Sequence, residues 1–375
     1  MSEISLHGGD PSVLRRLNAA ATLRALRGGG EPTLSELAGQ VGLSRPTTEG
    51  VLAELAERGL VAEVPPRSGT GLGRPARRYR FCSEAGYALG IDVDAHWVQV
   101  FAADLDGRVA GSHRVDLGVG WEPPERLAAV RGAVKTCLSR AGVERSALWA
   151  VGAGTPGVVD LDGTVRFCTV VPGWQGLNLG RELGRSFGCP VYVENDANLA
   201  AMAERWRGAA RDVDDVLCVL AGLHTGTGAL IGGRLHRGRW GGAGEVGMLP
   251  ELGLRDTMAA LTGTPPPPAD GGPEGVLAAA RRDDPEAVAL VERLAARMSR
   301  GIAAMALALD PEVIVVGGPL TRAGDRLVDE LRRRVLPLCL GPVRLEASAL
   351  GEEAVGIGAV RLALDRIDEN LFRVD

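Results

Sequence analysis

The hydrophobic pattern of this 375-residue chain changes character near residue 86. Before that point apolar residues recur at helical spacing in three short segments; after it, short apolar runs alternate with helical segments to the end. Such a chain folds as a small helical head followed by a larger α/β body. The length leaves room for separate cores in each part. Apolar residues make up 45% and charged residues 24%, which excludes a disordered chain. No apolar run reaches the length of a membrane span, and the opening MSEISLHGGDPSVLRR lacks a basic-then-apolar leader pattern. A cytoplasmic protein with no membrane partner is therefore expected. The six cysteines (Cys82, Cys137, Cys168, Cys189, Cys218, Cys339) lie far apart with no CxxC pair, a pattern of reduced thiols rather than a disulfide framework or zinc ribbon.

Residues 1–82 read as three helices and a hairpin. Leu14, Leu17, Ala21, Leu23 and Leu26 give the first helix an apolar face, and Gly28-Gly29-Gly30 ends it. Thr33-Leu34-Ser35-Glu36 is a capping box, with Leu34, Leu37, Ala38 and Val41 turned inward. Gly42-Leu43 forms a turn, and Ser44 caps a third helix whose buried stripe is Val51, Leu52, Leu55 and Ala56. LVAEV and RYRF are strands joined by PPRSGTGLGRPAR. This is the layout of an α+β winged helix-turn-helix; a helical dimerisation or protein-docking module of the same shape is the alternative. Charge favours DNA, since residues 1–80 carry +3 and the remainder −8. Ser44, Arg45, Thr47 and Thr48 fall at the start of the third helix, the part that meets base edges in a major groove. Arg74, within Gly-Leu-Gly-Arg-Pro, is placed to enter a minor groove; Arg67, Arg77 and Arg78 are further hairpin contacts, the last two to phosphate.

Beyond residue 86 the spacing predicts strands at Leu89–Asp94 and His96–Asp104, a turn into a third strand, a helix over 123–141, and strands at Trp149–Ala153 and Val191–Val193. A helix Asn198–Arg207 follows, then strand Val216–Leu220, a hairpin around Gly232-Gly233, a long helix near 284–309, strand Val313–Val316, a helix over 323–335 and a last helix from about 354. The stretch Thr264–Gly275 (TPPPPADGGPEG) predicts a surface loop.

Four segments are specific in combination: LGIDVDAHWV (89–98), VENDANLA (193–200), GLHTGTGALIGGRLHRGRWGGAGEVGM (222–248) and DPEVIVVGGPL (310–320). Their order and spacing resemble the ROK family of repressors and sugar kinases, with PGVVDLDG (156–163) and LGEEAVGIGAVRLAL (350–364) in agreement. The resemblance covers residues 86–370. It implies an α/β actin-like (ribonuclease H-like) two-lobed fold, with a first lobe over 86–208, to which a helix at 354–370 returns, and a second over 209–353. The head extends the resemblance to the family's sugar-responsive repressors, which implies operator DNA, a sugar or sugar-derivative effector, and a homodimer or homotetramer.

The family's kinases hold ATP through two glycine loops, because phosphates need converging backbone N–H groups without side chains in the way. Where the first loop's Asp-x-Gly-Gly-Thr belongs, this chain has Asp92, Val93, Asp94, Ala95 and His96, and Asp94 sets a carboxylate at the phosphate position. In the second loop Leu223 and His224 replace Thr and Gly. These departures imply lost ATP binding, no cofactor and no catalysis, with Asp196 a vestigial base. The sugar end keeps more of the pattern. The resemblance assigns ligand contact to Asn195, Asp196 and Glu245, and more loosely to Asp256, while Trp174 either lines the cleft or sits in the core. Met248 stands at the zinc histidine and the cysteine cluster is missing, so no zinc is expected. The reading is a sugar-responsive regulator, with a hexose kinase bearing a DNA-binding module, or lobes that only dimerise, as alternatives.

Overall fold

A computed structural model describes residues 11–27, 29–65, 76–118, 120–222, 225–255, 257 and 272–372, so Arg67, Arg74, Leu223, His224 and Asp256 lie outside the described residues. The chain forms two compact units, one of Met1–Tyr87, Ala103–Arg108 and Leu364–Asp375, the other of Ala88–Ala102 and Val109–Ala363. Among the described residues no helix is long and apolar enough to cross a membrane.

The smaller unit begins with α1 (Pro11–Arg27), α2 (Leu34–Val41) and α3 (Arg45–Glu57), followed by β1 (Val61–Val64) paired antiparallel with β2 (Arg78–Phe81). The capping box forms as read: the Thr33 amide donates to Glu36 Oε2 at 2.7 Å and the Glu36 amide to Thr33 Oγ1 at 3.3 Å. Leu23, Leu26, Leu37, Leu52, Leu55 and Leu60 fill the core. Leu14 and Leu17, expected inside, are 61% and 48% exposed, because only the second half of α1 is packed and the apolar spacing runs past the end of the core. Ala56 is likewise exposed, one residue beyond Leu55, the last buried position of α3. Arg27 ties the unit's separate segments together. It pairs with Asp368, donates to the Leu105 carbonyl, lies 3.9 Å from Asp106, and stacks on the Phe81 and Phe372 rings at 5.3 and 5.9 Å.

The larger unit is built on two five-stranded sheets of the same design. The first comes from β3 (Tyr87–Val93), β4 (Trp97–Asp104), β5 (Val109–Asp116), β6 (Leu148–Thr155) and, after a ribbon of β7 (Val158–Val159) and β8 (Val165–Phe167), β9 (Val191–Asn195). Its order is β5-β4-β3-β6-β9. The helices of this half are α4 (Pro123–Ala141), α5 (Leu179–Gly184) and α6 (Asp196–Arg207). The second sheet comes from β10 (Val216–Leu220), β11 (Gly226–Ile231), β12 (Arg234–Leu235), β13 (Val313–Gly317) and β14 (Arg344–Ala347), in the order β12-β11-β10-β13-β14. Its helices are α7 (Gly272–Arg281), α8 (Pro285–Leu309) and α9 (Asp325–Val335); α10 (Ala354–Leu371) closes the chain. In both sheets the strands follow the order third, second, first, fourth, fifth, and the last pairings β6–β9, β10–β13 and β13–β14 are parallel. Central strands such as β13 are buried at every residue, which explains their uninterrupted apolar sequence.

Gly152 on β6 sets how closely α10 packs, since a Cβ there would lie 2.0 Å from the Ala359 carbonyl oxygen. The loop expected over 264–275 is corrected at its end: Gly272–Gly275 already belong to α7, where Pro273 sits in the first turn and its missing N–H leaves no helical bond unmade.

Candidate functional site

The DNA-facing candidates sit where α3 begins. Ser44 Oγ accepts the Thr47 amide at 3.3 Å and lies 2.8 Å from Thr47 Oγ1, so the cap fixes the first turn while Arg45 and Thr47 stay exposed. Thr48 is a correction: it is fully buried, and its hydroxyl donates to the Ser44 carbonyl at 3.0 Å, leaving nothing to offer a base edge. Arg78 is engaged within the protein. Its Nη1 donates to the Glu31 carbonyl at 2.6 Å and so holds β2 against the segment before α2, a structural role the sequence did not suggest. Arg77 is exposed, with Glu63 at 3.5 Å as a weak surface partner.

A cavity of about 690 Å³ opens in the larger unit, and Asp92, Asp94, Asn195, Asp196 and Glu245 all line it. At one wall β3 turns into β4. Asp92, 2% exposed, accepts the Trp97 indole N–H at 2.9 Å, and Asp94 accepts the His96 amide at 2.8 Å. Behind the turn, the buried Arg126 of α4 donates to the Asp94 and Ala95 carbonyls at 2.5 and 3.2 Å. Where a phosphate loop would leave its amides open, this turn is held from both sides and shows a carboxylate to the cavity.

The opposite wall is the junction of β9 and α6. Asn195 caps α6 by accepting the Asn198 amide at 3.0 Å, and its Nδ2 donates to the Gly157 carbonyl at 3.0 Å and to Asp196 Oδ1 at 2.9 Å. The carboxamide is thus engaged by the protein, so Asn195, while lining the cavity, also holds Asp196 in place. Asp196 Oδ1 also accepts the Ala197 amide at 2.7 Å. Burial pushes the Asp196 carboxyl up to about 7, and the charges of Asp94 and Glu245 push the same way. Burial raises Glu245 too, and it raises Asp92 well above the usual carboxylate range with Asp94 adding to it. Glu245 is set by Gly244, whose φ of +91° and lack of Cβ let the backbone lie against the Thr227 carbonyl, 2.3 Å from where a Cβ would sit.

Sequence reasoning missed the remaining wall. Arg114 of β5 lies 4.3 Å over the Trp97 ring and donates to Glu352 Oε2 at 2.7 Å, and Arg322 pairs with the same carboxylate. It also missed Arg126, whose targets are 31 and 32 residues away and leave no local signal. Trp174 is core: it is fully buried, its indole donating to Thr155 Oγ1 at 2.7 Å. Among the described residues no three His, Cys, Asp or Glu side chains converge as a metal site. Six carboxyl side chains (Asp92, Asp94, Asp116, Asp196, Glu245, Glu352) and two arginines (Arg114, Arg322) line this cavity, and Glu352 is paired with both arginines.

Residues 88–251 and 267–366 match the model of the ROK family, and residues 17–65 match that of the IclR helix-turn-helix domain. A xylose repressor of Caldicellulosiruptor bescii is 22% identical over 394 residues, spanning 95% of this chain and 97% of its own. The crystal structure of a ROK family glucokinase from Streptomyces griseus in complex with glucose and AMPPNP is 28% identical, with a TM-score of 0.63 over 75% of this chain and 100% of its own. A ROK family transcriptional regulator homologous to the E. coli MLC protein, 20% identical, shares the fold with a TM-score of 0.73 over 96% of this chain and 98% of its own. With the match extending across both five-stranded sheets, this chain belongs to the ROK family.

Proposed function

We propose that this protein is a sugar-responsive transcriptional repressor whose ROK body binds an uncharged sugar and transfers no phosphoryl group. The observation that carries the reading is the turn from β3 to β4, where Arg126 holds the Asp94 and Ala95 carbonyls and the Asp94 side chain lines the same cavity as Asp196 and Glu245. The sugar end of a kinase-like cleft is kept, and its phosphate end is built with the wrong charge. The winged helix at the front supplies the output, with Ser44 as cap and Arg45, Thr47 and Arg77 as DNA contacts, together with Arg67 and Arg74 in the hairpin. The repressor named in Caldicellulosiruptor bescii, similar along nearly its whole length, supports the same pairing of head and body.

In this reading the two lobes are residues 86–208, joined by the helix at 354–370, and 209–353. Asp196 and Glu245 accept hydrogen bonds from sugar hydroxyls, which is stronger when the acceptor is ionised. The sugar shifts DNA affinity only by its differential affinity for the two conformations. A homodimer or homotetramer would read a pseudo-palindrome. The test is fluorescence anisotropy with the gene's own upstream DNA against scrambled DNA at fixed salt, with and without D-xylose or D-glucose. Specific binding about 10³-fold tighter than to scrambled DNA, lowered by one of the sugars, is expected. Equal affinity for both DNAs would remove the repressor role, and sugar-dependent ADP release from ATP would restore the kinase.

A further inference from the structure

We infer that Arg237, which does not line the cavity, is a positioning residue for sugar binding: its ion pair with Glu194 sets where Glu245 stands relative to Asp196. The inference rests on the sugar-effector reading above. Glu194 immediately precedes Asn195-Asp196 but turns away from the cavity, and its side chain is 5% exposed. Its Oε1 accepts the Asn195 amide at 2.8 Å and the Asn198 Nδ2 at 3.0 Å, which pins the start of α6. Its Oε2 lies 2.9 Å from Arg237 Nε.

Arg237 stands at the start of the loop that ends in Glu245. Its Nη2 donates to the Val159 carbonyl at 2.9 Å, and its own carbonyl accepts the Ala243 amide at 3.2 Å, so the loop folds back on this residue. Further on, Glu245 donates its amide to the Gly242 carbonyl at 3.3 Å. Val159 lies two residues from Gly157, whose carbonyl receives the Asn195 Nδ2. One guanidinium therefore fastens three segments of the cavity wall: the β7 ribbon, the β9–α6 junction that bears Asp196, and the loop that bears Glu245. Two ligand carboxylates on different segments act together only when their separation is fixed, and small misplacements weaken binding without removing a contact group.

The test uses the full chain in four forms: wild type, Arg237→Met, Glu194→Gln and the double variant, titrated with D-xylose and D-glucose by calorimetry. Each single variant should weaken the sugar that wild type binds by about tenfold or more, and the double variant should lose no more than the worse single one, since both act through the same link. DNA affinity without sugar should stay unchanged. Wild-type sugar affinity in Arg237→Met, or losses that multiply in the double variant, would overturn the inference. Should Arg237→Met fold poorly, Arg237→Lys keeps the charge but loses the second attachment, so intermediate affinity is expected and unchanged affinity counts against it. Amide hydrogen exchange on the sugar-free protein is the second readout, with Ala243 and Glu245 exchanging faster in Arg237→Met. If wild type binds neither sugar, the effector reading falls and exchange alone decides: unchanged exchange removes the fastening role as well.

Discussion

Replacing Asp196 by Asn tests the cavity's electrostatics most directly, because it removes the charge and keeps the shape. The retained Oδ1 can still accept the Ala197 amide and the Asn195 Nδ2, so the local hydrogen bonds survive. In the folded protein burial raises the carboxyl from its usual 3.8 to about 7. The native state therefore binds this proton more tightly than the unfolded chain does, and stability is lost as pH rises between those two values. The difference amounts to roughly 4 kcal/mol at pH 8, where Asp196 is ionised in both states, and to less than about 1 kcal/mol at pH 4. Water in the cavity lowers the upper figure, so a gain of about 1–4 kcal/mol for the Asn variant at pH 8 is the expectation, or roughly 3–10 °C in Tm. Calorimetric melts of both proteins at pH 4, 6 and 8 measure it. A variant less stable than wild type at pH 8, or a stability gap that does not change with pH, would refute the argument. The same variant should lose the sugar response while keeping DNA affinity, and in wild type sugar binding should tighten from pH 6 to 8 as Asp196 ionises.

Three other outcomes are expected. Gly152→Ala should destabilise the larger unit by about 2–3 kcal/mol or more in denaturant melts, since its Cβ would meet the Ala359 carbonyl oxygen at 2.0 Å and backbone cannot step aside; a neutral result would mean α10 is free to shift. Arg74→Ala should make the log–log salt slope of DNA binding shallower by about one, and an unchanged slope would take the hairpin out of the groove. Glucose 6-phosphate should bind more weakly than glucose, because each added negative charge some ~8 Å from a carboxylate costs about 2 kcal/mol at an effective dielectric of ~20. Calorimetry showing the phosphate ester to be the tighter ligand would contradict the charge count of the cavity.

What could be read in the sequence was local. The helix over 123–141 is found at those bounds because Pro123 and Pro124 suit its first turn and Gly142, at φ +66°, ends it. The α3 cap and the β10 strand were equally plain, being decided by residues within a few positions of one another. The errors share the opposite cause. Leu14 and Leu17 keep helical spacing on a stretch of α1 where they stay 61% and 48% exposed, and Thr48 looks like any polar residue of a recognition helix until burial claims it. Arg126 is the instructive case. Glycines missing from a phosphate loop read, in sequence, as decay. In the structure the same segment is a made object, with Asp94 hydrogen-bonded to the next turn residue but one and its backbone gripped by an arginine from a distant helix. A buried guanidinium is costly to keep unless it is paired. Here it donates to two carbonyls of the turn and lies 5.8 Å from the centroid of the buried Trp174 ring. The turn is therefore set by a residue more than thirty positions away, which no local pattern in the sequence announces.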